Sequence, residues 1–324
     1  MNKPKLILRN WVDITKINYD TLSANPNAID LIREIIKNDE SAINWRLLSL
    51  NPGAIEILEE NIDKIYWKTL SENPNAIPLL LKHKHKINWT YLSKNPNAIE
   101  ILKENPDKID WDYLSINPNA IELLENNIYK INWNVISENP NAIKILKNHL
   151  NKINWHYLSA NPNGIEILTN HTNNINWGFL SANPNGIQLL RQNSYYINWN
   201  ILSLNNNAID LLIENKDNIN WFFLSKNTNP KAIKLLTENP NKINWFYLSG
   251  NPNAIELLEK YQNKILYFQL SKNPAIFTYD YKKIKENFKE LAEEIIAKAL
   301  HPKRIFKLIE LYGEDEVYNN YFDD

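Results

Sequence analysis

The side chains able to do chemistry are either few or repeated too often to be catalytic. The 324-residue chain has six histidines and no cysteine, which removes disulfides, thiolate zinc sites and cysteine nucleophiles together. His83, His149 and His171 share one phase of a repeating pattern, but no acid recurs beside them to orient a metal-bound imidazole. Their place near a helix C-terminus predicts capping of the last carbonyls. Ser49, Ser71, Ser93, Ser115 and Ser137 belong to a column with one serine in every copy of the pattern. A catalytic serine occurs once, with its base, so a twelve-fold serine predicts a hydroxyl bonded to nearby backbone. Six glycines, none in a rich run, leave little from which to build a phosphate cradle. The sequence therefore predicts a non-enzyme with no catalytic residue, metal site or cofactor.

Two charge columns remain. Lys16, Lys64, Lys86, Lys108, Lys130, Lys152, Lys242 and Lys264 stand three residues before a recurring aromatic anchor, where they could form a phosphate track for a single-stranded nucleic acid. Asp30, Glu56, Glu100, Glu122, Glu166, Asp210 and Glu256 stand eleven residues after it. If the columns face each other they neutralise locally and hold register, each exposed pair contributing at most about 1 kcal/mol. A net charge of -1 gives no global field drawing the chain to nucleic acid or an anionic membrane.

The elements that position these columns follow from the anchors. Trp45, Trp67, Trp89, Trp111, Trp133, Trp155, Trp177, Trp199 and Trp221 recur every 22 residues, Trp245 follows after 24, and Tyr19 and Tyr267 take the same place at the ends. A fixed period of this kind marks a repeat array. In the copy beginning at Ile131, Asn132 can cap a short helix A over 133–138. Asn139-Pro140 suits the start of a helix B over 140–147, and Asn148 suits a left-handed end. Trp133, Val135, Ile136, Ala142, Ile143, Ile145, Leu146 and Ile153 recur as apolar positions, more than one helix pair can bury, so stacking must bury the rest. The tryptophans are expected to be the buried spine. The small-residue column (Ala54, Ala98, Gly164, Gly186, Ala254) is expected where neighbouring backbones approach.

Two irregular intervals favour helices. Four extra residues between Tyr19 and Trp45 keep helical apolar spacing through Leu31, Ile32, Ile35 and Ile36, lengthening the first helix B. Two more fall in the turn Asn227-Thr228-Asn229-Pro230, where an insertion disturbs least. A leucine-rich-repeat horseshoe shares the period, but the alternating strand segment it needs is missing. The predicted fold is all-α: a right-handed α-solenoid of about twelve short helix pairs over 17–276, an N-terminal cap over 1–16 (Leu6 to Leu8, Trp11), and a C-terminal helical cap over 277–324. That cap holds one helix through Tyr281–Ala299 and another from Pro302 to Tyr312, stopped by Gly313. Layers roughly 8–10 Å apart give an extended stack on the order of 100 Å long. No run of 18 apolar residues or leader pattern appears, so an intracellular protein without a membrane partner is expected.

The positions one and five residues after the anchor vary most and share a face of helix A. Arg46, Lys68, Asp112, Asn134, His156 and Asn200, followed by Phe222, Phe246 and Phe268, make this the candidate partner-binding face. Three phenylalanines in successive layers form a stripe that either meets a partner or lies under the closing helices.

The string L-S-x-N-P-N-A-I, seen at Leu92 to Ile99, together with A-I-F-T-Y-D-Y at Ala275 to Tyr281 and A-L-H-P-K-R at Ala299 to Arg304, resembles the tandem-repeat proteins of giant DNA viruses of the mimivirus kind. The resemblance runs from Trp11 to about Tyr312, and its motifs carry no chemistry. It implies an intracellular viral protein, in the host cytoplasm or the virion, acting by binding. The expected function is a scaffold for protein–protein interaction in an infected host cell, with a host or viral protein as partner. The alternatives are a single-stranded nucleic-acid binder using Lys64, Lys86, Lys108, Lys130, Lys152, Lys242 and Lys264, and a structural component of the virion.

Overall fold

The computed structural model describes residues 5–314 and Val317. Among them the chain is overwhelmingly helical, with one two-stranded pairing of Leu6–Leu8 and Phe277–Tyr279. It divides into a repeat unit, Leu8–Phe277, and a smaller unit made of Met1–Ile7 with Thr278–Asp324.

The copy anchored at Trp89 shows how the sequence builds the repeat. Helix A spans Trp89–Lys94, and the side chain of its N-cap Asn88 accepts from the amide of Tyr91, satisfying one of the free donors of the first turn. Helix B spans Ile99–Glu104 and a 3-10 turn, Pro106–Lys108, leads on. Helix B begins three residues later than proline suggested, because Pro-Asn-Ala forms a turn or a short 3-10 segment, as at Pro74–Ala76 and Pro252–Ala254. Its end is not left-handed: among the described residues only Gly313 has positive φ. The closing side chain does the work instead, Asn105 Nδ2 donating to the carbonyl of Ile101 at 2.8 Å. In the copy of Trp133, β-branched Val135 and Ile136 reduce helix A to a 3-10 turn, Ile136–Glu138. The longer first helix B, Ile29–Asn38, absorbs the four-residue insertion as expected.

The spine of the core is leucine, not tryptophan. Leu48, Leu70, Leu92, Leu114 and Leu158 of helix A and Leu58, Leu80 and Leu102 of helix B are wholly buried, each worth roughly 1.5–3 kcal/mol of transfer free energy. All ten anchoring tryptophans are only half-buried. The indole sits at the first position of a helix little more than one turn long, at the edge of the buried layer. There it packs on a residue just past its own helix B, Trp67 on His83 at 5.2 Å, Trp133 on His149 at 5.0 Å and Trp155 on His171 at 5.3 Å, or on the 3-10 turn beyond it, Trp177 on Tyr196 at 5.0 Å. The small-residue column also needs correction. A Cβ on Gly164 would lie 2.8 Å from the carbonyl oxygen of Leu158, and one on Gly186 would lie 2.8 Å from Leu180 Cδ1. The tight approach is thus between the two helices of one copy, not between neighbouring copies.

Copies are joined by a buried polar ladder. Asn95 Nδ2 donates to the carbonyls of Ser71 (3.1 Å) and Asn73 (2.9 Å) in the preceding copy, while its Oδ1 accepts from the amide of Asn97. Asn97 Nδ2 reaches the carbonyl of Pro74, also in the preceding copy. Ser93 Oγ donates to the carbonyl of Trp89 and accepts the amide of Asp110 in the next copy. The fully buried asparagine therefore uses both N–H groups and its oxygen, which avoids a cost of about 1–3 kcal/mol for each buried polar group left unpaired.

The same bonds join the last copy to the first. The amide of Asn18 donates to Ser271 Oγ at 2.9 Å, Asn25 Nδ2 donates to the carbonyls of Ser271 and Asn273 at 3.0 Å each, and Asn27 Nδ2 donates to Pro274. The repeat unit closes into a ring. Its twelfth copy has a helix A, Tyr267–Leu270, but no helix B; the chain continues as the strand Phe277–Tyr279. The N-terminal segment completes that copy, with Arg9 bonded through N to Ile276 and through Nε to Ala275, and with the 3-10 turn Ile14–Lys16 leading into copy one. An open stack with a cap at each end is thereby corrected: each end is covered by the other, and Val12 is buried in the ring. Within the smaller unit, Tyr281, Phe288 and Phe306 are 67%, 70% and 67% exposed.

Ring curvature decides which helices lie inside. Helices A longer than one turn pack directly on each other, as Trp155–Ala160 does on Trp177–Ala182 and Trp89–Lys94 on Trp111–Ser115. Helices B stand further apart and are spanned by long ion pairs such as Arg33 with Glu60 and Lys103 with Glu122. The closer spacing belongs to the smaller circumference, so helix A lines the inner side.

Candidate binding face

The inner face carries every residue expected to meet a partner. Arg46, Lys68, Asp112, Asn134, His156 and Asn200 are all exposed there, though several are held from the next copy. Asp112 accepts from Asn132 Nδ2 at 2.8 Å, and Asn200 accepts from Asn220 Nδ2 at 2.7 Å, so the cap of one helix A also fixes the variable residue before it. Lys68 Nζ lies 4.9 Å from the centre of the Tyr91 ring, within cation–π reach. His156 meets Phe179 edge-on at 5.9 Å.

Phe222, Phe246 and Phe268 are 46%, 39% and 49% exposed. They belong to a larger aromatic sector. Phe222 meets Tyr247 edge-on at 4.8 Å and Phe223 at 5.2 Å, while Phe246 meets Tyr247 at 5.4 Å. Lys226 lies 5.8 Å from the Tyr247 ring and Lys272 lies 4.5 Å from that of Phe268. Sequence reasoning missed the second contributor, the residue two after the anchor (Tyr91, Tyr113, Tyr157, Phe179, Phe223, Tyr247), because a recurring aromatic reads as core. In the structure Tyr157 and Phe179 are exposed, and Tyr91 stacks on Tyr113 at 5.9 Å. Six copies away from the twelfth, across the ring, a shallow hollow of about 240 Å³ is lined by Asp112, Tyr113, Ile116, Val135 and Glu138. One side of the inner face is thus aromatic and basic, the other apolar and acidic.

The lysine column does not form one track. Lys16 pairs with Asp13, Lys64 with Glu40 and Lys108 with Asp107. Lys130 and Lys242 lie over the indoles of Trp111 and Trp221 at 4.5 and 4.4 Å. Among the described residues Lys86, Lys152 and Lys264 have no acidic partner; Lys152 lines an open groove of about 500 Å³ beside Trp155, Asn154 and Asn176. Nor do the two charge columns face each other. The acids pair along the helix B side, Glu56 with Arg33, Glu122 with Lys103, Glu166 with Lys147 and Asp210 with Lys231. Hydrogen bonding by Glu40 raises the pKa of Lys64. Asp13 is lowered to about 2, first by the hydroxyl of Thr15 and then by Lys16.

His149 and His171 face Ile145 and Ile167 carbonyls through Nδ1 at 2.9 Å, the role that Asn105 fills elsewhere. Among the described residues no group of three or more acids and histidines is placed to hold a metal, and no helix is long and apolar enough to cross a membrane. Searches against protein-family models, curated proteins and solved structures find no match to this chain.

Proposed function

We propose that the chain is a non-enzymatic scaffold, a solenoid bent into a closed ring, that binds a protein partner on the inner face of its A helices. One observation carries this reading. The Ser/Asn ladder is the same from copy to copy, whereas the exposed residues one and five after the anchor differ and are grouped by character around the ring. A constant frame with a varied surface suits recognition of one irregular partner. The sector of Phe222, Phe246 and Phe268 with Lys226 and Lys272 suits an apolar, acidic element of that partner, since aromatic side chains supply most of the energy of such contacts. The resemblance to giant-virus repeat proteins makes the partner a host or viral protein in an infected cell, in its cytoplasm or in the virion.

A single-stranded nucleic acid has less support. A backbone track needs one sign of charge along its length, and the inner face alternates between basic and acidic sectors. The test is capture from infected cells with the native chain and with a Phe222→Ser/Phe246→Ser/Phe268→Ser variant, with and without nuclease. The proposal expects a discrete protein retained after nuclease and lost in a variant of unchanged melting temperature. Capture abolished by nuclease, or unaltered by the three substitutions, contradicts it.

A further inference from the structure

Among the described residues, the long helix Tyr281–Ala299 carries an exposed apolar seam. Tyr281, Ile284, Phe288, Leu291 and Ile295 follow at alternating steps of three and four residues, the spacing that keeps one stripe facing a second helix. They are 67%, 36%, 70%, 44% and 57% exposed. With roughly 200 Å² per side chain, that is about 500 Å² of apolar surface on one helix, toward the top of what a lone soluble protein exposes in one patch.

We propose that this seam is filled by the same helix of a second copy of the chain, running antiparallel. Charge selects both occupant and direction. Residues 281–289 hold four lysines and one glutamate, and residues 290–299 hold three glutamates and one lysine. An antiparallel pair lays each basic half over an acidic half; a parallel pair lays like over like. The seam is also self-complementary in that direction. With Ile284 opposite Ile295 of the other copy, Phe288 falls opposite Leu291, so all four inner positions meet apolar residues. The four inner positions of two copies bury roughly 800 Å², and Tyr281 at each end brings the total to about 1,000 Å², the lower bound of a specific interface. The consequence is a particle with two rings, able to hold a partner at two points and gain avidity from the link.

The test uses the intact chain. Light scattering at micromolar concentration is expected to give twice the 38.1 kDa chain mass, and Phe288→Ser/Leu291→Ser to give the single-chain mass while the melting transition of the ring, followed by tryptophan fluorescence, is unchanged. A monomeric native chain, or a dimer that survives both substitutions, overturns the proposal. The chain has no cysteine, so direction can be read directly: a mixture of Ile284→Cys and Ile295→Cys proteins should form the mixed disulfide, and Ile284→Cys alone should not. Crosslinking of Ile284→Cys to itself in preference to the mixture overturns the antiparallel arrangement. A native chain that stays monomeric and co-floats with vesicles containing anionic lipid assigns the seam to a membrane surface and also overturns it.

Discussion

The junction between copies three and four and the junction between copies twelve and one make the same bonds by different routes. At the first, Asn88 N meets Ser71 Oγ and Asn95 Nδ2 meets the carbonyls of Ser71 and Asn73 across continuous chain. At the second, Asn18 N meets Ser271 Oγ and Asn25 Nδ2 meets Ser271 and Asn273 across a separation of about 250 residues. What differs is the fastening. A continuous junction has a following helix B, whereas the seam has a strand pairing and Arg9. The polar bonds of closure are thus those the repeat already contains, with the strand pairing and Arg9 in place of a following helix B. A head-to-tail contact becomes a ring when its small rotation per copy sums to a full turn.

The largest expected effect comes from removing the fastening. Deleting residues 1–17 takes away the first strand, Arg9 and the buried Val12 and Ile17, a loss of roughly 3–6 kcal/mol from the two side chains alone. It leaves two uncovered layers. Small-angle scattering should show a larger radius of gyration and light scattering should show association beyond that of the intact chain; an unchanged radius and mass would mean that the strands are ornamental.

Next in size are the ladder asparagines. Asn95→Ala leaves two buried carbonyls and one amide short of a partner, for about 2–4 kcal/mol by chemical denaturation. Asn25→Ala should cost the same if the seam is an ordinary junction. A negligible cost at Asn25 beside a full cost at Asn95 would show that the seam is open in solution.

Trp133→Ala is expected to cost about 1–2 kcal/mol, less than the 2–5 kcal/mol typical of a buried leucine such as Leu92→Ala, because the indole lies at the edge of the buried layer and is only partly buried. Reversal of that order by calorimetry would restore the tryptophan spine. The smallest effect belongs to the outer ion pairs. A hydrogen bond from Arg191 lowers the pKa of Glu214, so its contribution is present above the unfolded-state pKa and is lost as pH falls through the folded one. Because the carboxylate is exposed, Glu214→Gln should lower stability only slightly above the carboxyl range, and the difference from the native chain should vanish as pH falls through the acid limb.

The helices, the repeat unit, the insertion in the first helix B and the serine's structural role were legible because each follows from local spacing. Closure was not. It depends on the small rotation between copies, which no single residue encodes, although Lys16 and Asn18 placed a connecting turn and a cap ahead of copy one and the twelfth copy stopped short of a helix B at Pro274-Ala275-Ile276. The asparagine before proline could be recognised as a cap within its own copy, yet its bonds to the preceding copy are contacts between copies and leave no periodic mark of their own. On the candidate face the stripe of Phe222, Phe246 and Phe268 was readable from its break with earlier copies, while Tyr247 and Phe223 were hidden by regularity.

The central claim is that copy one lies against copy twelve, and a distance between them tests it most directly. Ala24 and Lys272 are exposed at equivalent positions of those two copies, and Glu72 and Lys94, joined as an ion pair at 2.7 Å, hold the same position in two adjacent copies. Spin labels on Ala24→Cys/Lys272→Cys and on Glu72→Cys/Lys94→Cys should give matching short distances by pulsed dipolar spectroscopy, since layers lie about 8–10 Å apart. A distance for Ala24/Lys272 of many tens of ångströms, approaching the order of 100 Å of an extended stack, would contradict the ring.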